Sequence, residues 1–175
     1  MMAPRGGETG GVRAHTPGPR RAARLAAVQA LYQVEALAGD AEDVILEFLT
    51  QRQGVILEGE DVVAMDRDFF SDLVRGATRR QPEIDRVLSG GLAADWRLER
   101  IASVLRGILR CACYELLMRR DVPARATINE YVDVAHAFFA DEQCSFVNAI
   151  LDRIAHQSRA EEFGDTEDGR PLDTG

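Results

Sequence analysis

The sequence predicts an all-α fold, and three observations carry that expectation. Apolar residues recur at intervals of three and four through most of residues 19–157, the period of helices that bury one face. Start and stop residues punctuate the pattern: Asp40, Asp66 and Asp141 precede apolar stretches, while Gly39 and the Gly90–Gly91 pair follow them. No segment alternates with period two well enough to compete as a strand, and no internal repeat is visible. The chain has 175 residues, 46% of them apolar, enough for one domain with a real core. It has no run of 18 apolar residues that would span a membrane and no secretory-type apolar stretch near its start, so a cytoplasmic protein is expected.

Residues 1–18 carry Gly6, Gly7, Gly10, Gly11, Gly18, Pro4 and Pro17 without an apolar period, and are expected to form a flexible basic arm. The first helix runs from about Pro19 to Ala38 on a stripe of Leu25, Val28, Leu31 and Tyr32, with Gly39 as its stop. Asp40 is placed to cap a second helix carrying Val44, Ile45, Phe48 and Leu49. Residues 54–65, GVILEGEDVVAM, lose the period and read as a long connection. A third helix starts near Asp66 with Phe70, Leu73, Val74 and Ala77 inward. Pro82 either breaks it or opens a further turn with Ile84, Val87 and Leu88.

The most regular pattern, Ile101, Leu105, Ile108, Leu109, Ala112 and Leu116, predicts a central helix from Leu98 to about Arg120. Pro123 biases Val122 away from helix and forces a turn. The TINE stretch reads as a capping box of Thr127 and Glu130, opening a helix that buries Ile128, Tyr131, Val132, Ala135, Phe138 and Phe139. Asp141 is placed to cap the last helix, whose inner face is Phe146, Val147, Ile150, Leu151 and Ile154. From Ser158 the composition turns polar and acidic, predicting a flexible tail over 158–175.

Catalytic chemistry finds little support. Cys111 and Cys113 are two apart in a helical segment, which turns their sulfurs about 200° from one another. Cys144 stands alone, and an odd count gives no disulfide framework. His15, His136 and His156 lack a second ligand type at metal spacing, and Asp133 with His136 reads as a surface pair. RGGETGG at 5–11 has no preceding strand and no following Lys-Ser/Thr, so it is no phosphate loop. No metal, cofactor or catalytic residue is expected.

Charge is more informative. The net charge is −8, yet residues 1–25 hold five arginines against Glu8 alone, and residues 158–175 hold six acidic residues against two arginines. Arginines in a first helical turn face the positive end of the helix dipole, at a cost of roughly 0.3–1 kcal/mol each. Arg20, Arg21 and Arg24 are three and four apart and project to one side, beside an arm that adds Arg5 and Arg13. Phosphate groups would turn that penalty into an attraction. A solvated arginine face is the alternative, and because the chain has no lysine only the clustering is informative.

Two stretches, RRAARLAAVQALYQ at 20–33 and RGILRCACYELLMRRDVPARATINEYVDVAHAFFADEQCSFVNAILDRIA at 106–155, resemble the NusB family of bacterial transcription antitermination factors. The resemblance covers most of residues 19–157. It rests on the arginine-rich start with ALYQ, then ILR, YEL, DVP, INE and FVN in order. It implies about seven helices in two packed subbundles. It also implies binding of the boxA element of ribosomal RNA leader transcripts together with NusE, a ribosomal protein, within an RNA polymerase complex that suppresses premature termination.

On the matching positions, the resemblance implies RNA contacts at Arg20, Arg21 and Arg24 and at Glu142 and Phe146. An exposed Phe146 would stack on an unpaired base, while an inner-stripe role is its alternative. Arg106 and Arg110 are further RNA candidates, with a solvated face as the competing reading. Tyr32 falls at the NusE side, with a plain core role from its stripe position as the alternative, and Leu105 stands at a second partner position where relatives often carry an acidic residue. Ser145 replaces a frequent basic residue and Ala149 the glycine of FVNG, while Asn148 reads as a structural hydrogen-bonder. Self-association into a homodimer over the RNA or NusE surface stays open. So does a helical protein-interaction module with little RNA affinity. Ribosomal RNA cytosine methyltransferases that carry this module at their front need a large catalytic domain after it.

Overall fold

The computed structural model describes residues 18–51, 54–56 and 62–164; the expected basic arm before Gly18 and the tail beyond Gly164 lie outside the described residues. Among the described residues seven α-helices form: α1 Pro19–Leu37, α2 Ala41–Gln51, α3 Arg67–Arg79, α4 Gln81–Gly91, α5 Ser103–Met118, α6 Ala124–His136 and α7 Asp141–Ser158. Short 3₁₀ turns cover Leu98–Arg100 and Ala160–Phe163. Two three-residue strands, β1 Gly54–Ile56 and β2 Val62–Ala64, pair antiparallel with Val55 opposite Val63. The all-α class stands, with this hairpin inside the segment expected as a plain connection. Its β-branched runs are too short to show a period in the sequence.

Helix ends follow local chemistry. Asp40 Oδ1 accepts from the Glu42 and Asp43 amides at 2.8 and 3.4 Å, and Asp66 Oδ1 accepts from Phe69 N at 3.0 Å, as expected of N-caps. Pro82 lies in the first turn of α4 and opens that helix. Four expectations differ. The left-handed residue that ends α1 is Ala38, with φ 47°, rather than Gly39. The pattern from Leu98 to Arg120 is interrupted at Ile101 and Ala102, where the chain is extended between the 3₁₀ turn and α5. There is no TINE capping box, because α6 already begins at Ala124 and both Thr127 and Glu130 are engaged by other helices. Asp141 is the first residue of α7, and Ala140 occupies the cap position without a side-chain bond.

Helix α5 is shared by two groups of helices. It packs on α1 and α3, which with α2 make one subbundle, and on α6, α7 and α4, which make the other. Small residues set how closely α1 fits in: Ala22, Ala23, Ala27 and Ala30 have no exposed surface. Gly107 brings α5 onto α1, since a Cβ there would lie 3.5 Å from the Val28 carbonyl oxygen. Ile108, Leu109, Ala112 and Leu116 of α5 are fully buried. At about 0.8 kcal/mol per buried methylene, such positions supply most of the drive to fold.

Candidate nucleic-acid and partner interface

The arginines of α1 do not act alike. No acidic residue stands in the first turn of α1, so the compensation comes from other elements. Arg24 turns inward: its Nε and Nη2 donate to Glu115 at 3.1 and 2.6 Å, and its side chain is 5% exposed against 0% for Glu115. Thr127 Oγ1 donates to the same carboxylate at 3.4 Å. Burial works to lower the Arg24 pKa, but the hydrogen bond and charge of Glu115 outweigh it and hold it above the usual value. The expectation that all three arginines present themselves on one side therefore fails for Arg24, which is part of a buried ion pair.

Arg21 remains at the surface, where Nε and Nη2 donate to Glu130 at 2.8 and 3.0 Å and Nη2 also to Asp133 at 2.8 Å. The Arg21 hydrogen bond, aided by the charges of Arg21 and Arg24 against the effect of burial, holds the Glu130 carboxyl below its ordinary range. Asp133 is thus engaged with Arg21. Arg20 is the least constrained, 46% exposed, with Asp66 and Asp121 only at 3.8 and 3.7 Å. Its guanidinium lies 4.7 Å from the Phe69 ring centre, and those of Arg24 and Arg119 each lie at 5.0 Å. Gly18, Pro19, Arg20, Arg21, Arg24, Asp66 and Glu130 line a cleft of about 390 Å³ at the α1 N-terminus.

Arg106 and Arg110 lie elsewhere, where α5 faces α1 and α4. Arg106 is paired with Glu35 and also donates to the carbonyls of Leu98, Glu99 and Ile101 at 3.2, 3.4 and 2.7 Å. Arg110 makes a two-point pair with Asp85 at 2.8 and 2.9 Å and meets Glu35 at 3.0 Å. Their side chains are only 11% and 12% exposed, which excludes the solvated-face reading and makes both part of the framework.

Glu142 is exposed on the first turn of α7, and Phe146 is half-buried one turn later. The Phe146 ring centre lies 5.5 Å from that of Trp96, which is 54% exposed. Trp96 carries no periodic signal in the sequence, being one aromatic residue in a short polar loop. Asn148, expected as a structural hydrogen-bonder, is exposed, and its side chain makes no hydrogen bond among the described residues.

On the other side of α1, Tyr32 is 46% exposed and lines an apolar groove of about 680 Å³. Leu105, expected as a second NusE contact, is 6% exposed and belongs to the core. Its neighbour Val104 faces the groove instead, together with Leu37 and Phe138. Phe138 lies beyond the end of α6 and is 39% exposed, not inward as its spacing suggested. The three cysteines are buried and unbridged. Burial, aided by Glu83 and Asp85, pushes the Cys113 thiol up to about 12. Among the described residues no helix is long and apolar enough to cross a membrane.

The NusB family model matches residues 21–156. The transcription antitermination protein NusB of Maricaulis maris (strain MCS10) is 49% identical over 144 residues, covering 82% of this chain and 90% of that one. The corresponding protein of Bradyrhizobium sp. (strain BTAi1) is 46% identical over 145 residues, 83% and 86% of the two chains. The structure of T. maritima NusB superposes with a TM-score of 0.70 at 32% identity, covering 85% of this chain and 99% of that one. A crystal structure of the antitermination factors NusB and NusE in complex with dsRNA shares the fold at 22% identity, with a TM-score of 0.65 over 78% and 96% of the chains. Since the family model matches well over half of the chain, taking in all of α2–α6 and almost all of α1 and α7, the chain belongs to the NusB family.

Proposed function

We propose that this protein is a cytoplasmic transcription antitermination factor without catalytic activity. It binds the boxA element of ribosomal RNA leader transcripts together with NusE and joins an RNA polymerase complex that suppresses premature termination. The observation that carries this reading is its relationship, at close to half identity over most of its length, to transcription antitermination proteins. Arg20 and Arg21 supply phosphate contacts at the start of α1, and Arg24 holds that helix in place from within. The groove of Tyr32, Val104 and Phe138 receives NusE, and a second copy of the chain competes for the same surface.

Fluorescence anisotropy of labelled boxA RNA and a scrambled control, with and without NusE and at several salt concentrations, tests the reading. With three or four phosphate contacts, from Arg20, Arg21 and the preceding Arg13 and Arg5, log affinity falls against log salt with a slope of about −2 to −3. Preference for boxA that sharpens on adding NusE is the expected result. Equal, weak binding to both RNAs overturns it and leaves a helical protein-interaction module.

A further inference from the structure

We propose that Asp133 competes with RNA phosphates for Arg21, and that Glu130, on the same face of α6, is the positioning residue that turns Arg21 towards the RNA. The inference rests on the RNA-binding reading above and gives opposite roles to two carboxylates that touch one guanidinium.

The division follows from which N–H groups are taken. A guanidinium presents its donors as a planar fork, with a side edge of Nε and Nη2 and an end edge of Nη1 and Nη2. Glu130 occupies the side edge of Arg21, accepting from Nε at 2.8 Å and from Nη2 at 3.0 Å. The other N–H of Nη2 belongs to the end edge, and Asp133 accepts from Nη2 at 2.8 Å. Nη1 makes no hydrogen bond among the described residues. The end edge, which a phosphate would grip with two oxygens, is therefore half open and half closed by Asp133.

The surroundings of the two carboxylates differ in the same sense. Glu130 is 26% exposed and lies 3.6 Å from Arg24 Nη1, so the buried arginine fixed by Glu115 also steadies it from below. Asp133 is 51% exposed, one turn further along α6, with Arg21 as its one ion-pair partner among the described residues. The Glu130 hydrogen bond, against the effect of burial and with the charges of Glu130 and then Asp133 adding, holds the Arg21 pKa above its usual value.

An exposed carboxylate of this kind is displaced at small cost, since exposed ion pairs contribute little. Arg20 needs no such exchange, because its carboxylates stand at 3.8 and 3.7 Å, outside hydrogen-bond distance. An RNA chain thus reaches Arg20 freely and Arg21 only by replacing Asp133. That exchange sets a threshold against weakly held polyanions.

The test follows the anisotropy of boxA and scrambled RNA, with and without NusE, on the full chain as wild type, D133N, E130Q, R21A and R21A/D133N. Circular dichroism melts establish that each variant is folded. D133N is expected to bind both RNAs about threefold more tightly, the effect of losing a competitor of ordinary exposed strength, with the salt slope of the wild type. E130Q removes the same charge yet is expected to bind no more tightly than wild type, because the fork loses its orientation. In the R21A background D133N is expected to change nothing. Unaltered affinity in D133N, or the same gain with Arg21 absent, overturns the competition and leaves the RNA-binding reading standing. Equal gains in D133N and E130Q overturn the division of roles, marking a plain charge effect. Absence of RNA binding by the wild type in every condition removes both readings.

Discussion

Arg21 and Arg24 are separated by three residues and by very different surroundings, and their removal should separate accordingly. Truncating Arg24 leaves Glu115 charged and unpaired at 0% exposure, so R24A is expected to lose about 3–5 kcal/mol in urea denaturation. Truncating the half-exposed Arg21 should cost under about 1 kcal/mol and instead lower the magnitude of the salt slope of RNA binding by about 0.7. A pH dependence belongs to the same neighbourhood. The Arg119 hydrogen bond, with the charges of Arg119 and Arg20 assisting, holds the Asp121 carboxyl down to about 2 from its ordinary 3.8. A lowered folded-state value means the contribution is complete above about pH 4 and is lost as pH falls towards 2. The melting-temperature difference between wild type and D121N should therefore be constant from pH 5 to 8 and shrink below pH 4. The clustering of Arg20, Arg21 and Arg24 was legible in the sequence; the division of labour was not. Helical spacing orients a side chain to within a face, whereas the choice between phosphate and core is made by Glu115, 91 residues away. For Leu105 the stripe of α5 was the better guide than the resemblance: it lies inward, and the adjoining Val104 reaches the groove.

At the level of elements, six of the helices were legible because each buries a stripe whose period survives in the sequence, with Asp40 and Asp66 marking two starts by backbone chemistry alone, whereas α4 was read only as a break or a further turn after Pro82. What the period cannot report is how close two helices come. Gly76 lies inside α3, where its intrinsic helix propensity is poor, yet a Cβ there would overlap the Tyr114 ring of α5. That ring is fixed at its far end, where the hydroxyl donates to Asp72 at 2.9 Å and burial, with Asp72, pushes its pKa up to about 12. G76A should then destabilise by about 1–3 kcal/mol through overpacking, despite alanine's better propensity. Circular dichroism melts would show it. The second substitution in G76A/Y114L should return part of the loss, whereas a loss of equal size in both variants would mean that α3 and α5 are not in register through this contact.

Over the whole molecule, the two subbundles meet a third component that composition concealed: the first residues of the segment expected as a flexible tail. Arg159 has no exposed surface and donates to the carbonyls of Leu116, Val122, Glu115 and Arg119 at 2.7, 2.6, 3.3 and 2.7 Å, closing the C-terminal end of α5 and the turn after it. Glu162 accepts from Ala124 N at 2.7 Å at the start of α6, and the Phe163 ring lies 4.0 Å from that of His156 and 4.9 Å from the Arg125 guanidinium. Six acidic residues after position 157 hide these few anchored side chains, since composition averages over the whole segment. The same turn carries Asp121, the carboxylate nearest Arg20 on this side, so the segment braces the proposed RNA surface as well as the core. Two truncations separate the roles. Ending the chain after Ser158 should lower the melting temperature markedly, because an unpartnered buried acceptor costs about 1–3 kcal/mol and four lose their donor. Ending it after Gly164 should leave the melting temperature unchanged while removing four carboxylates, Asp165, Glu167, Asp168 and Asp173, and one arginine. If those charges compete with RNA for the arginines of α1, the shorter truncation binds random RNA more tightly at low salt, and the difference fades as salt rises. Equal affinity of the two forms for random RNA at every salt concentration would assign the distal residues no part in RNA selection.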